Sequence, residues 1–167
     1  MIVADVAALL VRPGEMPGFG LDGPRTVSTQ ASDFAPTPKD ATRFRADGFA
    51  DGATQQVRGT GADRGAVGIS VGFLFGTPSA AQRELVRSLA ESLASQGSAR
   101  IARFSVPGVP TARGFTATAG SRRATNVVFR SGRCMLLIGD IGRPSSLPAA
   151  VKAAVRAVYR RIAGSCS

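Results

Sequence analysis

A stretch of twelve residues, GAVGISVGFLFG from Gly65 to Gly76, constrains the fold of this chain most strongly. Larger apolar residues alternate along it without a break, which is the period of a β-strand with one buried face. The opposite face is made of glycine, alanine and serine with one leucine, so either a close-packed neighbour or water should meet it. We expect a central strand that buries the face shared by Val67, Ile69, Val71, Phe73 and Phe75.

Two longer segments have the spacing of amphipathic helices. The first covers residues 77–97, with Thr77 placed to cap its start and Gly97 placed to end it. The second covers residues 147–163. Their apolar stripes contain Leu85, Val86, Leu89 and Leu93 in the first and Val151, Val155, Val158 and Ile162 in the second. We expect the apolar face of the strand to pack against both helices, through Leu85, Leu89, Val155 and Val158.

A shorter helix is predicted from Asp40, a good N-cap residue, to Gly48, which suits the left-handed position after a helix. Phe44 and Phe49 then stand where a Schellman motif makes its apolar contact. In contrast, residues 20–39 are rich in proline, serine, threonine, glycine and aspartate, which predicts a long irregular connection.

Further strands are predicted near residues 50–59, 101–106, 113–119, 124–130 and 133–140. Ser131-Gly132 is a hairpin signal, and strands joined by tight turns favour antiparallel pairing. The fold class predicted is therefore α+β, with a single antiparallel β-sheet covered by helices. We assign residues 40–167 to this core and residues 1–39, an apolar strand or helix at 3–12 plus the connection, to the same domain.

Two glycine-containing segments resemble ligand loops. Gly59 to Gly65, GTGADRG, is spaced somewhat like a phosphate loop, but a strand rather than a helix follows it, so a hairpin turn is favoured. Phe104 to Phe115, FSVPGVPTARGF, is interpreted as a rigid turn between two strands, with Arg113 as a possible anion-binding fork.

The net charge of +10 is unevenly distributed. Residues 1–63 hold six basic and eight acidic residues, whereas residues 64–167 hold fifteen and three. Such a basic segment either is a solvated surface or attracts an anionic partner. The candidate anion or partner patch is Arg113, Arg122, Arg123, Arg130 and Arg133, and it requires that the turn at 119–123 and the hairpin tip share one end of the sheet. A second candidate is the helical stripe Lys152, Arg156, Arg160 and Arg161.

The chain has no histidine, which removes the usual general base, metal ligand and catalytic relay. No spacing of carboxylates or cysteines indicates a metal site, so we assign no catalytic residue, metal or cofactor.

Asp140, which ends an apolar segment, is interpreted as a turn cap or as the partner of an arginine. The apolar start of the chain is too short to span a membrane, and Asp5 interrupts it.

Cys134 and Cys166 are the two cysteines of the chain. They are either two unrelated thiols or a disulfide that ties the C-terminal tail to the sheet, and the even number and terminal position favour the disulfide.

Several segments together resemble a group of known proteins: ATRFRADGFADG, FLFGT, SAAQREL, FSVPGVPTARGF, ATNVVFRSGRCMLLIGD and YRRIAGSC. Over residues 40–166 the chain resembles small secreted or lipid-anchored proteins of high-GC Gram-positive bacteria with a PsbP-like or LpqN-like α/β/α sandwich. The resemblance implies a signal or lipid anchor ahead of residue 1 and an oxidising compartment, which also favours the disulfide.

The function expected from these observations is a non-catalytic cell-envelope or secreted domain that binds a ligand or partner of unknown identity. An envelope protein, an anionic lipid or a wall polymer is the expected partner. A cytoplasmic basic protein that binds nucleic acid is the alternative, although aromatic side chains for base stacking are scarce among the basic residues. An enzyme of unrecognised type ranks third.

Overall fold

The computed structural model describes residues 5–142 and 147–167, so the first two residues of the apolar segment predicted at 3–12 lie outside it. Its centre is one seven-stranded antiparallel sheet of order β1-β2-β3-β7-β6-β5-β4. The predicted fold class is therefore confirmed. The strands are β1 (Phe19–Ser28), β2 (Phe49–Gly59), β3 (Val67–Phe75), β4 (Arg100–Val106), β5 (Val109–Ala119), β6 (Arg122–Ser131) and β7 (Cys134–Gly142).

Helices cover both faces of the sheet. The α2 face is covered by α1 (Pro38–Ala46) and α2 (Pro78–Ala94), and the α3 face by α3 (Leu147–Ile162) together with a short 3₁₀ turn at Val6–Leu9. Because β3 and β7 are paired and antiparallel, Phe75 and Cys134 lie near one end of the sheet, and Val67 and Gly142 lie near the other. We call these the disulfide end and the open end.

The strand at 67–75 is central, but its predicted helix contacts are only partly correct. Phe73 and Phe75 are buried on the α2 face with Leu85, whereas Val155 and Val158 of α3 pack on the opposite face. The reason is that a central strand of this sheet is covered on both sides, so its two faces belong to two separate cores. Val86 of the predicted α2 stripe is 57% exposed, because α2 turns it away from the sheet.

Small residues on the α3 face of β3 admit the N-terminal segment. A side chain at Gly72 would place its Cβ 2.6 Å from Cβ of Leu9, and the Val11 amide donates to Ser70 Oγ over 3.0 Å. Arg161 of α3 fastens this segment by donating to the carbonyls of Ala8 and Leu10 and pairing with Glu15. Of the two alternatives expected for this face, a close-packed neighbour or water, the structure places the chain's own segment around Leu9 to Val11 against it.

The predicted short helix exists as α1, with a different first residue. Thr37, not Asp40, caps it, because the Thr37 hydroxyl accepts from the Asp40 amide. Gly48 follows the helix with φ +78°, and the rings of Phe44 and Phe49 stack with centroids 5.8 Å apart, so the Schellman contact is confirmed.

The irregular connection expected at 20–39 is wrong over its first half, where β1 pairs with β2 along the sheet edge. The hairpin turns at 59–65 and at Pro107-Gly108 are confirmed. The Cys134–Cys166 disulfide is also confirmed, with Cα atoms 5.6 Å apart. It joins the chain after α3 to the start of β7.

Candidate functional site

A groove opens on the α2 face at the open end of the sheet. The buried residues of α2 lie in its first half, from Ala80 to Leu85, so the helix covers the disulfide end and leaves the open end bare. Val67, Ile69 and Ile141 form the floor there and are 46%, 36% and 47% exposed. The cavity above them measures about 420 Å³, which is within the size range of small-molecule sites.

Polar side chains form the rim of this cavity. Gln56 and Arg58 of β2, Asp22 of β1 and Asn126 of β6 stand around the floor, and Gln96 closes the side next to α2. Arg58 Nη2 lies 2.8 Å from the Asp22 carboxylate. This exposed ion pair adds little stability but places hydrogen-bonding groups beside the apolar floor.

A second cavity of about 270 Å³ continues the floor past the ends of the strands at the open end of the sheet. It shares Val67 and Ile141 with the first, and Arg64 and Arg122 line it. Neither arginine forms a salt bridge with any residue in the part of the chain that the structure describes. We call the two cavities together the sheet groove: an apolar floor with a polar rim and a cationic end.

The five arginines of the predicted patch do not meet. Arg122 and Arg130 stand at opposite ends of β6, roughly 25 Å apart at the rise of a β-strand, and Arg133 lies beyond Arg130 in the hairpin tip. Arg123 pairs with Gly142 and is two residues before Thr125 in β6, so it shares the α3 face with Thr125. Arg122, its neighbour in the strand, lies on the opposite face. Arg113 is on β5 and donates to its own segment's carbonyls. Arg122 is therefore the member of this set that lines the sheet groove.

The helical stripe divides in a similar way. Arg161 is engaged in the N-terminal clamp, and Lys152 places its amine 4.4 Å from the centroid of the Phe104 ring. Arg156 is half-buried, and Arg160 is exposed with a hydrogen bond to the Arg156 carbonyl. Lys152 and Arg161 thus contact other elements, whereas Arg160 bonds only within its own helix.

Asp140 is neither a turn cap nor an arginine partner among the described residues, which corrects the interpretation from sequence. It lies inside β7 on the α3 face, 3% exposed, opposite Thr125 of β6. Within the described part of the chain, neither of its carboxylate oxygens nor Thr125 Oγ1 has a hydrogen bond of normal geometry. Burial, with a smaller contribution from the charge of Asp63, raises the pKa of Asp140 to about 7, although the facing Thr125 hydroxyl acts in the opposite direction.

The groove combines an apolar floor with amide, carboxylate and guanidinium groups at its rim, a composition typical of ligand-binding sites. Across residues 5–142 and 147–167, no three aspartate, glutamate or cysteine side chains group as metal ligands. No helix in these ranges is long and apolar enough to cross a membrane.

Comparison with known proteins gives the fold and not a family. No family model matches the chain, and no curated protein matches it, so the PsbP-like or LpqN-like resemblance is not confirmed. The fold defines a class, an α+β domain with a single antiparallel sheet, and a solved extracellular domain shares it. The extracellular domain of PknH from Mycobacterium tuberculosis aligns with a TM-score of 0.58 and 13% identity over 93% of this chain and 95% of that one. An uncharacterised Mycobacterium smegmatis protein, the Rv0999 ortholog, aligns with a TM-score of 0.49 and 10% identity over 87% and 90%.

Proposed function

We propose that this chain is a non-catalytic extracytoplasmic domain that binds an amphiphilic anion, such as an anionic lipid, in the sheet groove. The observation that carries the proposal is the uncovered floor of Val67, Ile69 and Ile141 beside Arg64 and Arg122. Adjacent exposed apolar side chains on a folded surface indicate a binding site when polar groups surround them. An apolar chain would cover the floor while its anionic group met the two guanidinium groups.

Two observations support an oxidising compartment. Cys134 and Cys166 are bonded and buried, and such disulfides persist outside the cytosol. The fold is also similar to that of the extracellular domain of PknH. The same disulfide disfavours the alternative of a cytoplasmic nucleic-acid-binding protein, and the groove floor is aliphatic rather than aromatic, so it offers no ring on which a base could stack.

The first experiment measures binding of three probes by calorimetry: an alkyl phosphate, the alcohol of the same chain length, and inorganic phosphate. We expect the alkyl phosphate to bind best, because it alone supplies both the apolar and the anionic part. The substitutions Ile141→Asn and Arg122→Glu should each weaken its binding by about tenfold or more.

The matched controls are Val86→Asn, which changes an exposed apolar residue on α2, and Arg45→Glu on α1, both away from the groove. Both should bind like the wild type. Equal affinity for the three probes, or an effect of the control substitutions as large as that of the groove substitutions, would contradict the proposal. Recovery of the protein from cells with both thiols free would contradict the compartment.

A further inference from the structure

The outer edge of β4 is the second surface of the sheet that is available for binding. The sheet order ends at β4, so along its outer side every second residue directs a backbone N–H and C=O away from the sheet. The pairing of β4 with β5 is regular from Arg100 to Phe104, and residues 100–103 are exposed. These backbone groups therefore form a template for another strand.

The opposite edge of the sheet is protected. β1 contains Pro24, which has no N–H, and its pairing with β2 shifts between Asp22 and Thr26. In addition, Gln55 Nε2 donates to the carbonyls of Asp22 and Gly23, so polar groups of β1 near the interruption are already used. By comparison, β4 has no proline and no shift over its first five residues.

The β4 edge is also strongly basic. No acidic residue stands between Glu91 and Asp140, a segment with seven arginines. Arg103 and Arg113 line a small cavity on the α2 face, and Arg100 alternates to the α3 face, where Lys152 lies over the Phe104 ring. None of the three arginines forms a salt bridge within the described residues. Charge on an edge strand repels a second copy of the same chain, but it attracts a strand of opposite charge.

We propose that β4 accepts an extended acidic peptide segment of a partner protein as an eighth strand of the sheet. The backbone of the peptide would pair with the outward N–H and C=O groups of Arg100–Phe104. Its carboxylates would reach Arg100 on one face and Arg103 on the other, and Arg113 on the neighbouring β5 adds positive charge to the second face. A phosphate polymer or an anionic lipid could satisfy the arginines but could not pair with the backbone, so the combination of both features favours a peptide.

The test uses a fluorescent peptide with glutamates on both faces of an extended strand and the same peptide N-methylated at every residue. N-methylation keeps the charge and removes all backbone donors. We expect the unmodified peptide to bind, to slow hydrogen exchange at the outward amides of β4, and to lose at least about tenfold in affinity on methylation. Equal affinity of the two peptides would show simple charge attraction and would overturn the proposal, as would the absence of binding at low salt.

A double substitution, Arg100→Glu with Arg103→Glu, tests the charged part. It should weaken binding of the unmodified peptide by about tenfold or more, whereas Arg25→Glu on the β1 edge should have a much smaller effect. All these side chains are exposed, so the variants should fold, and circular dichroism checks that they do.

Tight binding of inorganic polyphosphate without protection of the β4 amides would assign this edge to a phosphate polymer instead and overturn the peptide proposal. Retention of alkyl phosphate binding by the Arg100→Glu/Arg103→Glu protein would separate this site from the sheet groove.

Discussion

Asp140 is a buried carboxyl group that the fold holds without a hydrogen bond of normal geometry among the described residues. Ionisation in this place is costly because the carboxylate loses its hydration, and the facing Thr125 hydroxyl offsets only part of that loss. Its pKa is raised from 3.8 to about 7 by burial, with the charge of Asp63 contributing in the same direction. From the sequence, Asp140 is simply the acid that ends an apolar strand, since the sequence does not show that Thr125 is its cross-strand neighbour.

Because the pKa of Asp140 is raised in the folded protein, the free energy of unfolding should fall as the pH increases. Between about pH 4 and pH 7 the unfolded chain releases the Asp140 proton while the folded protein keeps it, so the free energy of unfolding should decrease over this range. Asp140→Asn should remove most of this slope and stabilise the protein at about pH 8 by about 2–4 kcal/mol. Urea unfolding at several pH values measures both effects. The same slope in the wild type and the variant would show that another group is responsible.

The elements differ in how well their sequences predict them. β3 and α3 carry long uninterrupted patterns, so their existence and bounds follow from period two and period 3.6. β1 does not follow from the sequence because it is an edge strand with one short buried part, a proline and an irregular register.

The groove does not follow from the sequence for a geometric reason. A strand of nine residues is about 30 Å long, whereas a helix crossing it covers only about 10 Å. The pattern therefore identifies Val67 and Ile69 as one face of the strand but cannot show that α2 leaves them bare.

The clamp between α3 and the N-terminal segment gives a prediction at the level of elements. Arg161→Ala removes donors from the carbonyls of Ala8 and Leu10 and leaves Glu15 without its salt bridge. We expect the free energy of unfolding to fall by about 2–4 kcal/mol, because the two carbonyls and the carboxylate are partly buried. Hydrogen exchange should accelerate at the amides of residues 6–11. Arg160→Ala is the control, since Arg160 is exposed and bonds only to its own helix.

The same clamp should weaken in acid. Burial alone would raise the pKa of Glu15, but hydrogen bonds from Arg161 and the Arg12 amide, together with the charges of both arginines, hold it below its ordinary value. A carboxyl group with a lowered pKa contributes its stability above the unfolded value near 4.5 and loses it as the pH falls further. After correction for the intrinsic pH dependence of exchange, we expect lower protection at the amides of residues 6–11 in the wild type below about pH 4, with little change in Arg161→Ala. An equal acid effect in both proteins would contradict this role of Glu15.

At the level of the whole molecule, the covalent link and the candidate binding site lie at opposite ends of one sheet. Cys134 begins β7 at the disulfide end, and Val67 and Ile141 pair at the open end. The antiparallel sheet between them is hydrogen-bonded along its length, so the groove does not depend on the disulfide for its shape. Stability and binding should consequently respond to different substitutions.

The double substitution Cys134→Ala/Cys166→Ala tests this separation. The two cysteines are 32 residues apart in sequence. In the chain-entropy description, removing such a crosslink lowers the free energy of unfolding by about 3–4 kcal/mol, because the unfolded chain is no longer held in a closed loop. Both sulfurs are buried, so repacking adds a further cost. Urea unfolding should show this loss, and reducing agent should destabilise the wild type but not the variant. At a temperature where both proteins are folded, we expect the alkyl phosphate to bind them equally well, since the residues of the groove are unchanged. A large loss of affinity in the folded variant would show that the two ends of the sheet are coupled, and the groove would then have to be regarded as part of a structure that the disulfide holds in place.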